Sequence, residues 1–226
     1  MERKRMSEEG TELDPSQLGT KVYWDEFYST EKQNFKDFGD VGEIWFGTAC
    51  AAKILKWLNS NEQLEKNDKI IDLGCGNGML LIKLADHGWK NLYGVDYSTN
   101  AIDLATSVAE SEKVNVKFQV WDILSDELKY QPHEFAVVLD KGTYDAISLS
   151  PGDRKSCRDK YMDNVGKLLK PGGHLLLTSC NWTEEELKSQ FSLVGFQFIS
   201  TLPAPTFQFN GSSGKNVASV IFKKPT

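Results

Sequence analysis

The stretch Lys69-Ile70-Ile71-Asp72-Leu73-Gly74-Cys75-Gly76-Asn77-Gly78-Met79-Leu80-Leu81 constrains this chain more than any other. An apolar run ends in an acid, passes through three alternate glycines and reopens in an apolar pattern of helical spacing, so it reads as strand, turn and helix. Glycines let backbone approach a ligand where a Cβ would block it, and the helix start behind them presents free N–H groups. A small-molecule site belongs here. The turn is not the dinucleotide fingerprint G-x-G-x-x-G, because Gly78 follows Gly76 after one residue and Met79 stands at the last fingerprint position. That spacing disfavours a nicotinamide-dependent oxidoreductase.

The next apolar run, Leu92-Tyr93-Gly94-Val95-Asp96, ends in an acid 22 residues after Gly74, a placement that suits a ribose diol. Two later runs also end in acids, at Asp122 and Asp140. Asp72, Asp96, Asp122 and Asp140 are then expected to rim one crevice at the carboxyl ends of parallel strands, where open α/β sheets bind ligands. Such a rim repels a pyrophosphate but suits a cofactor carrying an ammonium, a sulfonium and a ribose, the groups of S-adenosylmethionine.

Strand and helix patterns alternate to the C-terminus. Helices are expected over Thr48–Leu58, from Leu80 towards Gly88, from Ser98, and from Arg154 to Leu169, with a short helix somewhere between Ile123 and Pro132. Strands are expected over Asn91–Asp96, Val114–Val120, Phe135–Asp140 and His174–Ser179, the last after the turn Lys170-Pro171-Gly172-Gly173. Thr183 with Glu186 is a capping-box signal, and two closing strands, Phe196–Leu202 and Val217–Lys223, follow its helix. The alternation implies a doubly wound, Rossmann-like α/β sheet.

At 226 residues, 40% hydrophobic and 26% charged, one domain with a full core is the default. Residues 1–19 are polar with little to bury and read as a disordered tail, leaving 20–226 as the domain. Within it, residues 20–47 crowd together Tyr23, Trp24, Phe27, Tyr28, Phe35, Phe38, Trp45 and Phe46, an aromatic lid. It reads either as a cap on the domain or as a wall for the cofactor and a cationic target.

The glycine turn with Asp96 and Asp122, and the late Leu169-Lys170-Pro171-Gly172-Gly173, resembles the class I S-adenosylmethionine-dependent methyltransferases. Two further stretches, Asp140-Lys141-Gly142-Thr143-Tyr144-Asp145 and Gly39-Asp40-Val41-Gly42-Glu43-Ile44-Trp45-Phe46-Gly47, are similar to the lysine methyltransferases of translation elongation factor 1-alpha. The resemblance implies a seven-stranded sheet of order 3-2-1-4-5-7-6 with the last strand antiparallel. It further implies cofactor contacts from Asp72, Gly74, Cys75, Gly76, Asn77, Gly78, Asp96, Tyr97, Asp122, Ile123, Asp140 and Phe46, with S-adenosylhomocysteine as product. Asp72 also reads as a cap on the turn. Asp140, Tyr144 and Trp45 are the candidates for holding the target amine, while Lys141 and Asp145 read as a surface ion pair.

A net charge of −6 argues against a nucleic-acid substrate and for a basic protein partner, elongation factor 1-alpha by resemblance. Cys50, Cys75, Cys157 and Cys180 show no C-x-x-C pairing and only three His are present, so no metal site or disulfide framework is expected. No apolar run approaches the ~20 residues of a membrane span, and Met1-Glu2-Arg3-Lys4-Arg5 has no apolar signal core. A monomer in the cytoplasm, with the nucleus also open, is the expectation. Two rivals stay open: a small-molecule methyltransferase, and a non-catalytic cofactor-binding scaffold.

Overall fold

The computed structural model describes residues 12–203, 207–209, 212–214 and 217–226. In chain order these form α1 (Lys21–Phe38), α2 (Gly47–Ser60), β1 (Lys69–Leu73), α3 (Met79–Asp86), β2 (Asn91–Asp96), α4 (Thr99–Ser111), β3 (Lys117–Val120), β4 (Phe135–Lys141) and α5 (Thr143–Ser148). They continue as α6 (Arg154–Leu168), β5 (Leu169–Ser179), α7 (Glu184–Leu193), β6 (Gln197–Thr201), β7 (Phe207–Phe209), β8 (Ser212–Gly214) and β9 (Ala218–Lys223).

Seven strands make one sheet of order β3-β2-β1-β4-β5-β9-β6, with β9 antiparallel to both of its neighbours. This is the 3-2-1-4-5-7-6 order expected, since β7 and β8 pair only with each other. Side chains alternate across the strands with period two. Ile71 and Leu73 therefore face one core with Tyr161, Val165, Leu187 and Phe191 of α6 and α7, whereas Ile70 faces a second core with Ile54 and Leu58 of α2 and Leu81 and Leu84 of α3. The lid helix α1 closes a third cluster, packing Tyr28 against Ala101, Leu104 and Val108 of α4. From β1 the chain winds outward through β2 and β3, then returns on the other side as β4. The carboxyl ends of β1 and β4 are thus the point where winding reverses, the usual mouth of an α/β site.

The local signals hold where periodicity is long. The Thr183–Glu186 capping box forms with both hydrogen bonds in place, and Phe135–Leu139 is buried on both faces of the sheet. Four expectations need correction. No helix forms between Ile123 and Pro132, where turns suffice to reach β4. Six-residue α5 forms right after β4, too short to announce itself by period. Pro171, Gly172 and Gly173 do not precede β5 but lie inside it, at a register shift between Phe135 and Val137 of β4.

The fourth correction concerns the tail. Residues 1–11 lie outside the described residues, but 12–19 pack on the domain. Glu12 makes a two-pronged pair with Arg158 (2.6 and 2.9 Å), and Ser16 donates its N–H to the Leu149 carbonyl (3.0 Å). Trp24 Nε1 donates to the Leu18 carbonyl (2.7 Å). A Cβ on Gly19 would come within 2.1 Å of Leu149 backbone, so only glycine fits there.

Candidate active site

Gly74, Gly76 and Gly78 all adopt the left-handed backbone, with φ of 65°, 53° and 73°. Added Cβ atoms would also meet Thr143 Oγ1 at 2.0 Å, Tyr28 Oη at 2.3 Å and the Phe118 ring at 2.6 Å respectively. Conformation and packing both demand glycine. Asp96, 6% exposed at the end of β2, accepts the Gly76 N–H on Oδ2 (3.1 Å) and the Ser98 N–H on Oδ1 (2.9 Å). Asn77 Oδ1 takes the Met79 N–H (3.3 Å) at the start of α3. The cap read onto Asp72 is therefore supplied by Asp96 and Asn77. Asp72 sits beneath the turn, 2% exposed, with Oδ1 buried and unpartnered among the described residues.

Over the turn lies a cavity of about 230 Å³. Trp45, Phe46, Gly74, Cys75, Gly76, Asn77, Asp96, Tyr97, Asp122 and Ile123 line it, as their motifs suggested. Asp72, Gly78, Asp140 and Tyr144 do not. Gly78 packs on Phe118 as the N-cap of α3. Tyr144 is fully buried between Tyr161 and Phe191 and donates its hydroxyl to Gln190 Oε1 (2.5 Å). Asp140 is 1% exposed and turned inward, its Oδ1 accepting from Thr143 N–H and its Oδ2 from Tyr144 N–H and Tyr161 Oη. It caps α5 and ties β4 to α6, so neither it nor Tyr144 can hold a substrate amine. Burial pushes the Asp140 carboxyl up to about 7 against the pull of its three donors.

A testable consequence is that Asp140→Asn destabilises the fold by about 1–3 kcal/mol, since an amide cannot accept at both positions. Thermal melts should show the loss, with cofactor affinity within about twofold of wild type.

Several wall residues were missed. Leu18 and Gly19 enter from the N-terminal segment, Lys141, Gly142, Thr143 and Asp145 from the β4–α5 junction, and Cys180 and Asn181 from beyond β5. Asp145 forms no ion pair with Lys141. It is 5% exposed, accepting from Ser179 Oγ (2.5 Å) and the Cys180 N–H (2.8 Å), and burial raises its carboxyl above the usual range. The signal for it is its place in Asp140-Lys141-Gly142-Thr143-Tyr144-Asp145, which carries a second acid after Asp140.

The lid is wired to the cradle. Asn77 Nδ2 donates to the carbonyls of Val41 (3.0 Å) and Glu43 (3.1 Å), strapping residues 39–46 over the turn, while Tyr28 on α1 reaches Gly76. Trp45 packs edge-on against Trp24 and Phe27, with Nε1 buried and without an acceptor among the described residues. Asp122 Oδ1 accepts the Leu124 N–H (2.8 Å) beside Ile123.

The donor set fits S-adenosylmethionine. Asp96 uses one acceptor position on each oxygen for backbone, leaving capacity for two ribose hydroxyls, and Trp121, Ile123 and Leu124 offer an apolar slot beside it for an adenine. Asp72 Oδ1 and Trp45 Nε1 are two of the five buried side-chain polar atoms without partners among the described residues, with those of Ser98, His174 and Thr201. A reversing α/β sheet with this glycine turn and an acid ending the second strand defines a class I S-adenosylmethionine-dependent methyltransferase.

The family described as a methyltransferase domain matches residues 64–211. "EEF1A lysine methyltransferase 2" of Danio rerio is 45% identical over 93% of this chain and 89% of its own length. "Protein-lysine N-methyltransferase EFM4" of Saccharomyces cerevisiae is 38% identical over 94% of this chain and 97% of its own. Among solved structures, a TehB-like S-adenosylmethionine-dependent methyltransferase from Corynebacterium glutamicum shares the fold, with a TM-score of 0.60 and 19% identity, covering 88% of this chain and 97% of that one. The chain belongs to the methyltransferase-domain family and to the family of these two lysine methyltransferase relatives.

Proposed function

We propose that this enzyme moves a methyl group from S-adenosylmethionine to a lysine amine of translation elongation factor 1-alpha, leaving S-adenosylhomocysteine. The observation that carries the reading is one cavity that joins the glycine cradle and Asp96 to a wall of acids and aromatic rings, a chemistry suited to two cations. The 45% identity over most of the chain to an EEF1A lysine methyltransferase 2 supports the substrate, and the yeast relative supports a protein lysine as the acceptor.

When bound, S-adenosylmethionine supplies an electrophilic methyl on a sulfonium. The chain's own work is to hold and to desolvate. Asp96 would take the ribose hydroxyls, and Asp122 with Ile123 the adenine edge. A free lysine has a pKa of ~10.4, so about one amine in a thousand is neutral near pH 7.4. Burial against Trp24, Trp45 and Phe46 favours the neutral, nucleophilic form. The strap and α1 cover the glycine turn from one side.

The test is to incubate purified protein with labelled S-adenosylmethionine and purified elongation factor 1-alpha. Label on a lysine of that protein is expected; label only on small molecules of a cell extract would overturn the reading. The cofactor step should also depend on pH. Burial raises the Asp96 carboxyl to about 6, whereas ribose hydroxyls and a cation favour its ionised form. Protons therefore compete with the cofactor, and affinity should rise about tenfold between pH 5 and pH 7 as the carboxylate forms. Titration calorimetry at several pH values checks this, and equal affinity at both ends would contradict it.

A further inference from the structure

Asp145 has the burial of a core residue and the position of a site residue. It is 5% exposed, yet it faces the cavity from the first turn of α5. Ser179 Oγ bonds its Oδ1, and the Cys180 N–H and Sγ approach its Oδ2 at 2.8 and 3.3 Å. These donors, with the Asn181 N–H adding a weaker pull, hold the charge of a carboxylate that lines the cavity. Among the described residues no Lys or Arg forms an ion pair with it, and hydrogen bonds alone hold its charge. Burying a carboxylate without a cation is costly, and the expense makes sense where a cation is to arrive.

Sheet order says which cation. Asp96 and Asp122 follow β2 and β3 on one side of β1, while Asp145 and Asn181 follow β4 and β5 on the other. A cofactor with its ribose at Asp96 and adenine at Asp122 must send its methionine across the glycine turn of β1 towards β4. The methyl-bearing end would then be held on the side of the crevice that Asp145 lines. Phe46 stands over this region, its ring 2.9 Å from where a Cβ on Gly142 would be. An aromatic roof above an anionic floor matches a long apolar stem ending in an ammonium.

We infer that Asp145, with Asn181 beside it, receives the substrate lysine's ammonium at the methyl-bearing end of the cofactor; this rests on the lysine-methylation reading above. Asp140, the acid five residues earlier, is excluded by its inward hydrogen bonds. Once the ammonium has lost a proton to water at the cavity mouth, the nitrogen lone pair forms the C–N bond. The methyl C–S bond breaks and its electron pair stays on sulfur, giving a thioether. The methylated nitrogen is left as an ammonium that can shed its next proton to water.

Asp145→Asn tests it. The amide oxygen can still accept the Cys180 N–H, but Ser179 Oγ already accepts from the Asn181 and Trp182 N–H groups, so the new NH₂ loses the Ser179 contact and a thermal melt accompanies the kinetics. Expected is a rise in KM for elongation factor 1-alpha of about tenfold to a hundredfold, with S-adenosylhomocysteine affinity within about twofold of wild type. An unchanged KM overturns the inference, and so does a parallel loss of cofactor affinity, which would put Asp145 at the cofactor. If Asp145→Asn does not fold, Ser179→Ala removes the Oδ1 anchor but keeps the charge. KM should then rise several-fold at constant cofactor affinity, and an unchanged KM there also overturns the inference. Wild-type protein that binds cofactor but labels no lysine would instead sink the reading on which the inference rests.

Discussion

Replacing Asp96 by alanine should weaken S-adenosylmethionine binding by at least about a hundredfold while the protein stays folded. Two ribose hydroxyls on one carboxylate are charge-assisted bonds of about 1.5–3 kcal/mol each, and ~1.4 kcal/mol is a decade of affinity. Even the low end of that range gives two decades. The same residue steadies the cradle through the Gly76 and Ser98 N–H groups, so alanine also loosens the turn against which the ligand rests. Folding should be less sensitive. The buried carboxyl already titrates near 6 because burial disfavours its charge, and removing it relieves that penalty. Calorimetry with a thermal melt separates the two effects. Native affinity in a folded variant would take Asp96 out of the site.

Gly76→Ala should abolish measurable cofactor binding, and Tyr28→Phe in the same chain should restore part of it. At φ 53° a Cβ costs about 1–2 kcal/mol through backbone strain alone. The larger effect is steric, since the Cβ would lie 2.3 Å from Tyr28 Oη and 3.1 Å from its Cζ. Tyr28 is buried on α1 and cannot swing aside without lifting the lid from α4. Removing the hydroxyl takes away the closest atom and leaves a contact that small shifts can absorb. Gly39, at φ 72° with nothing near its would-be Cβ, is the control: Gly39→Ala carries the strain without the clash and should bind normally. Losses from Gly76→Ala and Tyr28→Phe that merely add would argue against direct contact, because neighbours in contact couple.

What could be read before folding is whatever depends on near neighbours along the chain. The strand, glycine turn and helix at 69–81, the acid ending β2, the capping box at Thr183 and the alternation that implies a doubly wound sheet all rest on periods of 2 or 3.6 and on backbone freedom at single residues. The choice between Asp140 and Asp145 does not. Both acids stand in one short motif after β4, yet Asp140 turns to Tyr161 on α6 and Asp145 to Ser179 at the end of β5. The donors that decide the matter lie 21 and 34 residues away and are brought in only by the winding of the sheet. Residues 12–19 teach the same lesson more strongly. Their composition is that of a tail, but Arg158, 146 residues on from Glu12, gives that acid a partner and seats Leu18 and Gly19 in the cavity wall. Hydrophobic pattern reports which face a side chain prefers. Which polar groups meet inside is set by tertiary packing, because a buried donor or acceptor takes whichever partner the assembled elements bring within 3 Å.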